Sequence, residues 1–151
     1  MILSCIRTNS ENEDFLKLVN ELDKDLAIRD GNDRVFYNQF NNLDVIKHVV
    51  VVYDNRTPVG CGAIKNYSPD TMEIKRMFVP FEMRGKGIAS KVLSELEKWT
   101  LELGLTKCIL ETGKRQPEAI ALYKKNGYNV IPNYGQYENI ENSVCFLKLL
   151  K

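Results

Sequence analysis

Histidine is almost missing from this chain. His48 stands alone among 151 residues, and the four cysteines, Cys5, Cys61, Cys108 and Cys145, lie far apart with no C-x-x-C pair. Metal centres need clustered nitrogen and sulfur ligands, so no metal is expected. The thiols read instead as buried or half-buried groups in a reducing compartment. Neither sign of charge is in excess, since 21 Lys and Arg against 20 Asp and Glu leave +1. That balance argues against a broad basic footprint for nucleic acid or an anionic membrane. No apolar run reaches the roughly 18 residues of a membrane span. The opening MILSCIRTNSENED has no basic n-region ahead of its short apolar stretch, so no signal peptide is expected. A cytoplasmic location follows as the default. Repeats, low-complexity tracts and linkers are lacking too, which points to one domain over residues 1–151, long enough to bury a core.

What is present has globular proportions, 44% hydrophobic and 27% charged. Ile2 to Arg7 alternates as a first strand. Ser10-Glu11-Asn12-Glu13 reads as a capping box, and behind it Phe15, Leu18, Val19, Leu22 and Leu26 recur at helical spacing. Arg29-Asp30-Gly31-Asn32-Asp33 breaks that helix, and Val35 to Leu43 fits a short helix or turn. Ile46 to Tyr53 is β-branched and apolar, a strand buried on both faces. Asp54-Asn55-Arg56 turns it into a hairpin partner over Pro58 to Lys65, and Met72 to Val79 forms the next strand. A glycine loop then opens a long helix with Ile88, Val92, Leu93, Leu96, Trp99 and Leu103 on one stripe, ended by Gly104. Lys107 to Thr112 is a further strand and Pro117 opens another helix that ends at Asn126-Gly127. Tyr128 to Ile131 and Ser143 to Leu149 complete the strands. Such alternation predicts an α/β (mixed α+β) domain with helices on both faces of a mixed sheet, binding its ligand beyond the carboxyl ends of strands.

The loop Arg84-Gly85-Lys86-Gly87-Ile88-Ala89 carries the most chemistry. Two glycines between a strand and a helix let the backbone come close to a ligand. The first N–H groups of the helix are left without partners, with the positive end of the dipole behind them. That is a cradle for an anion such as a pyrophosphate, and Arg84 and Lys86 add cationic side chains. Ser90 stands where a dinucleotide fingerprint needs its third glycine, and no Gly-Lys-Ser/Thr follows as in a Walker loop.

With those two excluded, R-G-K-G-I-A resembles the (Gln/Arg)-x-x-Gly-x-(Gly/Ala) signature of the GNAT superfamily of N-acetyltransferases. EIKRMFVPFEMRGKGIASKVLSELEKWTLELG is similar to that superfamily's fourth strand, cofactor loop and central helix. CILETGKRQPEAIALYKKNGY is similar to its fifth strand and following helix, with the A-x-x-L-Y…G-Y ending. The resemblance covers about residues 72–128. It implies a mostly antiparallel mixed sheet of six to seven strands, splayed between the fourth and fifth, and acetyl-CoA as cosubstrate. Backbone groups of Met77, Phe78 and Val79 would meet the pantetheine arm, and the amides of Arg84, Gly85, Lys86, Gly87, Ile88 and Ala89 the pyrophosphate. Glu111, Thr112 and Gly113 would line the gap where the acyl group lies. Tyr123 matches the tyrosine that protonates the departing thiolate in many members. Glu73 matches a glutamate used as base by some, with Glu111 and a water chain as alternatives. Gln116 stands where many members carry an asparagine near the cofactor.

The acceptor is the open part of this reading. Acceptor pockets of the superfamily correspond here to Arg29–Phe40 and Pro132–Asn142. Tyr134 and Tyr137, with Glu138 and Glu141, suit a cationic amine, whereas Arg29 and Arg76 suit a carboxylate-bearing acceptor such as an amino acid. A small-molecule amine is the leading expectation, since a long loop between the last strands closes the open groove that a peptide needs. The alternatives are a protein acetyltransferase acting on a lysine or N-terminus, and a non-catalytic acyl-CoA-binding module. Many members dimerise, so the Val-rich strand and the C-terminal strands leave a homodimer open.

Overall fold

The computed structural model describes residues 1–30 and 46–151. In chain order the elements are β1 (Leu3–Thr8), α1 (Glu13–Asp30), β2 (His48–Asp54), β3 (Thr57–Ser68), β4 (Thr71–Phe78), α2 (Ile88–Glu102), β5 (Lys107–Gly113), α3 (Pro117–Lys125), β6 (Asn129–Ile131) and β7 (Ser143–Leu149). The segment Val35 to Leu43, expected as a short helix or turn, lies outside the described residues. Seven strands form one sheet in the order β1-β2-β3-β4-β5-β7-β6, antiparallel everywhere except between β4 and β5. That parallel pair is short: Thr71↔Lys107, Met72↔Cys108 and Glu73↔Ile109 are its only partners. Beyond Glu73 the two strands separate, β4 running on to Phe78 and β5 to Gly113.

The sheet is covered on both faces, as its apolar pattern requires. In β2, Val49 and Val51 pack with Phe15, Leu18, Val19, Leu22 and Leu26 of α1, whereas Val50 and Val52 pack with Ile88, Val92, Leu93 and Leu96 of α2. All four valines are wholly buried, each worth about 1.5–3 kcal/mol of burial. The α2 side also takes Tyr123 of α3. At Gly60 and Gly62 of β3 this helix comes very close: an added Cβ would sit 2.6 Å from Ile88 Cγ2 and 2.7 Å from Val92 Cγ1 respectively. Those glycines seat the first turns of α2 on the sheet.

Three local expectations are corrected. The cap of α1 is Asn12, whose Oδ1 accepts from the Phe15 amide at 2.9 Å. Ser10 is instead engaged with Ile46, its hydroxyl accepting from the Ile46 amide and its own amide donating to the Ile46 carbonyl. On α2 the stripe ends with buried Thr100, not Leu103, which is 41% exposed; Thr100 Oγ1 donates to the Leu96 carbonyl at 2.8 Å and so needs no water. On β4 strict alternation puts Met77 with Glu73 and Lys75. A register shift against β3, with Arg76 at φ 58°, moves Met77 to the opposite side, under Gly62.

Candidate active site

The chain leaves β4 through Pro80 and a single 3-10 turn, Phe81–Met83, before Arg84. Gly85 and Gly87 both have left-handed backbone, φ 77° and 81°, where an ordinary side chain costs roughly 1–2 kcal/mol. A Cβ on either would meet nothing within 4 Å. Conformation, not crowding, therefore demands glycine here, and the space before the backbone is open. Gly87 is the N-terminal cap of α2, and no side chain caps that turn. Gly85, Gly87, Ile88, Ala89 and Ser90 all border one cavity of about 400 Å³, so the helix's positive end is presented to it.

Arg84 supports the loop instead of reaching forward. Its Nε donates to the Val79 carbonyl at 2.8 Å, and Nη2 lies 3.7 Å from Asp25 Oδ2. Lys86 is exposed, with Nζ 4.0 Å from Met83 Sδ, and does not border the cavity.

From the loop the cavity runs into the gap between β4 and β5. Met77, Phe78, Val79, Glu73, Arg76, Glu111, Thr112, Gly113, Gln116, Tyr123, Arg29 and Tyr137 are on its wall. Tyr134 stands one layer behind, and Glu138 and Glu141 are exposed and away from it. The sheet sorts these groups. Met72 and Ile74 belong to the α2-side core, as do Cys108 and Leu110. Pleating therefore turns Glu73 and Glu111 to the α1 side. Tyr123 comes from the α2 side, 6% exposed and edge-on to Tyr128 at 5.8 Å. Burial, and then the charge of Glu111, push its phenol well above the usual range. Tyr123 thus keeps its proton throughout the neutral range.

Each carboxylate is held by a neutral hydroxyl. Glu73, 9% exposed, accepts from the Tyr134 hydroxyl at 2.5 Å, with Lys75 Nζ at 3.7 Å from its other oxygen. Glu111 accepts from Ser143 Oγ at 2.7 Å. The Tyr134 ring meets Tyr67 and Tyr137 edge to face at 5.2 and 5.6 Å. Burial first, then Glu73, raise the Tyr134 phenol, and burial with Glu111 and Glu73 raises Tyr137. Tyr67, Lys75, Asn142 and Ser143 were not marked by the sequence. Asn142 sits so close to Gly113 that an added Cβ there would lie 2.9 Å from its Nδ2. These contacts join residues dozens of positions apart, and no local pattern announces them.

The two arginines offered for an anionic acceptor are engaged with acids. Arg76 Nη1 lies 2.9 Å from Asp23 Oδ1 with only 6% of its side chain exposed. Arg29, on the last turn of α1, pairs with Asp25 at 3.3 Å and with Glu118 at the start of α3, reaching across the open gap. The Glu118 hydrogen bond is the main reason its guanidinium is held more firmly protonated than usual. Among the described residues no three of His, Cys, Asp and Glu gather as metal ligands would, and no helix is long and apolar enough to cross a membrane.

Comparison with known proteins puts this geometry in context. Residues 11–128 match the model of the Acetyltransferase (GNAT) family. An IAA acetyltransferase of Azospirillum brasilense is 34% identical over 129 residues, 81% of each chain. A Klebsiella pneumoniae crystal structure described as an acyl-CoA N-acyltransferase superposes with a TM-score of 0.81 at 26% identity, covering 99% of both chains. The PaiA N-acetyltransferase of Thermoplasma acidophilum, solved in complex with coenzyme A, shares the fold with a TM-score of 0.70 at 17% identity, again over 99% of both chains.

Proposed function

The chain belongs to the acetyltransferase (GNAT) family, and from that membership we propose an enzyme that moves the acetyl group of acetyl-CoA to a primary amine of a small molecule or amino acid, directly, within a ternary complex. Residues 1–151 act as one acetyltransferase domain. The observation that carries the reading is the sorting of proton donor and proton acceptors to opposite sides of one gap. Tyr123 enters from the α2 side, next to the uncapped helix start, and Glu73 and Glu111 face the α1 side.

The residues fit the cosubstrate. The amides from Arg84 to Ala89 would hold its pyrophosphate, the unpaired edge of β4 at Met77, Phe78 and Val79 its pantetheine arm, and Gln116 at the start of α3 is within reach of the same cavity. Acetyl-CoA, when bound, supplies the acetyl thioester. Arg29, Arg76, Thr112 and Tyr137 bound the acceptor's side, with Tyr134 behind Glu73. In the net reaction a C–N bond forms, the C–S bond breaks, and one proton passes from nitrogen to the surroundings while sulfur gains another. Glu73, held by Tyr134, takes the proton from the amine, with Glu111 as the second carboxylate able to relay it. Tyr123, kept protonated by burial, gives its hydroxyl proton to sulfur. Such acid–base help supplies about 10²–10⁴-fold, and positioning in the gap the rest.

Acetyl-CoA should raise the melting temperature of the protein, and Gly87→Glu should abolish that shift by placing a carboxylate and a strained residue in the cradle. No shift with the wild-type protein would refute the proposal. A screen of amines following free-thiol release then identifies the acceptor.

A further inference from the structure

Resting on that reading, we infer that Lys125 is the side chain that pairs with the phosphates of the donor, and so favours a phosphorylated acyl carrier. Among the described residues five cations border the cavity: Arg29, Lys75, Arg76, Arg84 and Lys125. The first four each stand beside an acid: Arg29 beside Asp25 and Glu118, Lys75 beside Glu73, Arg76 beside Asp23, and Arg84 beside Asp25. Turning one of these to a phosphate takes a counter-charge from its carboxylate. That cost is greatest for Arg76, with only 6% of its side chain exposed. Lys125 is exposed and has no acid partner among the described residues. Its ammonium can swing to a ligand on a flexible four-carbon stem with no ion pair to break.

The fold brings this lysine to the cradle. Lys125 is the last residue of α3, and the next residue, Asn126, donates from Nδ2 to Ser90 Oγ at 3.2 Å, on the first turn of α2. The same Nδ2 bonds the Leu122 carbonyl at 2.9 Å, so Asn126 fixes the end of α3 against the start of α2. Gln116, Ala119, Leu122 and Lys125 recur every third residue along α3, and all border the cavity. Lys125 ends that row beside the α2 start, where Gly87 carries no side-chain cap and the first turn holds no acid. A helix start offers only about half an elementary charge. CoA brings a pyrophosphate and a further phosphate on its ribose, so a full cation beside the cradle strengthens its hold. Lys124 and Lys125 both complement the negative end of α3, but of the two only Lys125 borders the cavity.

Calorimetric titration of CoA and of 3′-dephospho-CoA onto the wild type and three variants tests this. Lys125→Ala should raise the Kd for CoA roughly three- to tenfold, and Lys125→Arg should recover most of that loss. Lys124→Ala makes the same change of charge on the same helix turn and should alter Kd less than about twofold. Because the pairing is exposed, added salt should shrink the gap between wild type and Lys125→Ala. A deficit that persists with 3′-dephospho-CoA assigns Lys125 to the pyrophosphate, and one that vanishes assigns it to the ribose phosphate. Wild-type affinity in Lys125→Ala, an equal loss in Lys124→Ala, no recovery in Lys125→Arg, or a deficit indifferent to salt each overturns the inference. The two readings fail separately: a wild type that binds no CoA refutes the acetyl-CoA reading itself, whereas tight binding untouched by Lys125→Ala refutes only the role of this lysine.

Discussion

Gly60→Ala offers a sharp test of how the sheet positions the cofactor loop. The new Cβ would lie 2.6 Å from Ile88 Cγ2 and 3.4 Å from Val79 Cγ2, where carbon atoms rest comfortably at about 3.5–4.0 Å. Ile88 is the first residue of α2 and 1% exposed, so it has no solvent to swing into. The helix start must lift by about 1 Å, and overpacking of this kind costs about 1–3 kcal/mol. For a chain this long, that lowers the melting temperature by roughly 2–12 °C. The lift also displaces the Ile88 and Ala89 amides from the cradle, so the acetyl-CoA Kd should rise about tenfold, worth about 1.4 kcal/mol. Gly62→Ala is the control. It crowds the flexible end of Met77, and Val92 and Leu96 further along the same helix, so it should cost similar stability while leaving the helix start, and most of the affinity, in place. Urea unfolding followed by the single tryptophan, Trp99 of α2, gives the stability, and calorimetry the affinity. If Gly60→Ala keeps wild-type affinity while losing stability, the seating of α2 on β3 does not set the cradle. If it loses neither, the contact itself is misjudged.

Two further outcomes follow from the buried groups. Tyr123→Phe should bind acetyl-CoA as the wild type does yet lose about 10²-fold or more in kcat. Because burial and Glu111 raise this phenol, the wild-type rate should show no alkaline fall from its ionisation up to pH 10, the point where a free tyrosine is half ionised; a fall below pH 9 that vanishes in Tyr123→Phe would contradict this. For the thiols, burial pushes Cys145 and Cys108 up to about 11 and Cys61 up to about 12. Native protein at pH 8 should therefore alkylate with iodoacetamide mainly at Cys5, the half-buried one, and mass spectrometry should find the other three labelled only after unfolding.

How far the sequence could be read depended on the range of the contacts involved. The four-valine run, the stripe from Ile88 to Leu96 and the strand Ser143 to Leu149 each depend on neighbours a few residues away, and all were legible. So was the loop from Arg84 to Ala89, because two glycines before a helix dictate their own backbone. Ser10 shows where that ends: its hydroxyl is spent on Ile46, 36 positions onward, which no reading of the helix start could foresee. Arg76 is another case, since a left-handed residue inside a strand contradicts every propensity and arises from the register between β3 and β4. That bulge also decides which side Met77 takes. The Tyr134–Glu73 bond joins residues 61 apart, so the loop's tyrosines gave a hint of a site without saying which carboxylate they would hold.

The short ladder between β4 and β5 has a mechanical side. Three parallel pairs are the whole backbone ladder between a four-strand unit, β1 to β4, and the trio of β5, β7 and β6. Past Glu73 the halves of the sheet are joined by packing and by the Arg29–Glu118 bridge, not by backbone bonds. A molecule that lies along the free edge of β4 would act as a missing strand, and its departure would return the sheet to two leaves on a narrow spine. Opening and closing a book of this design needs no hinge loop. The binding of the donor would itself be the stitch that makes the two leaves one.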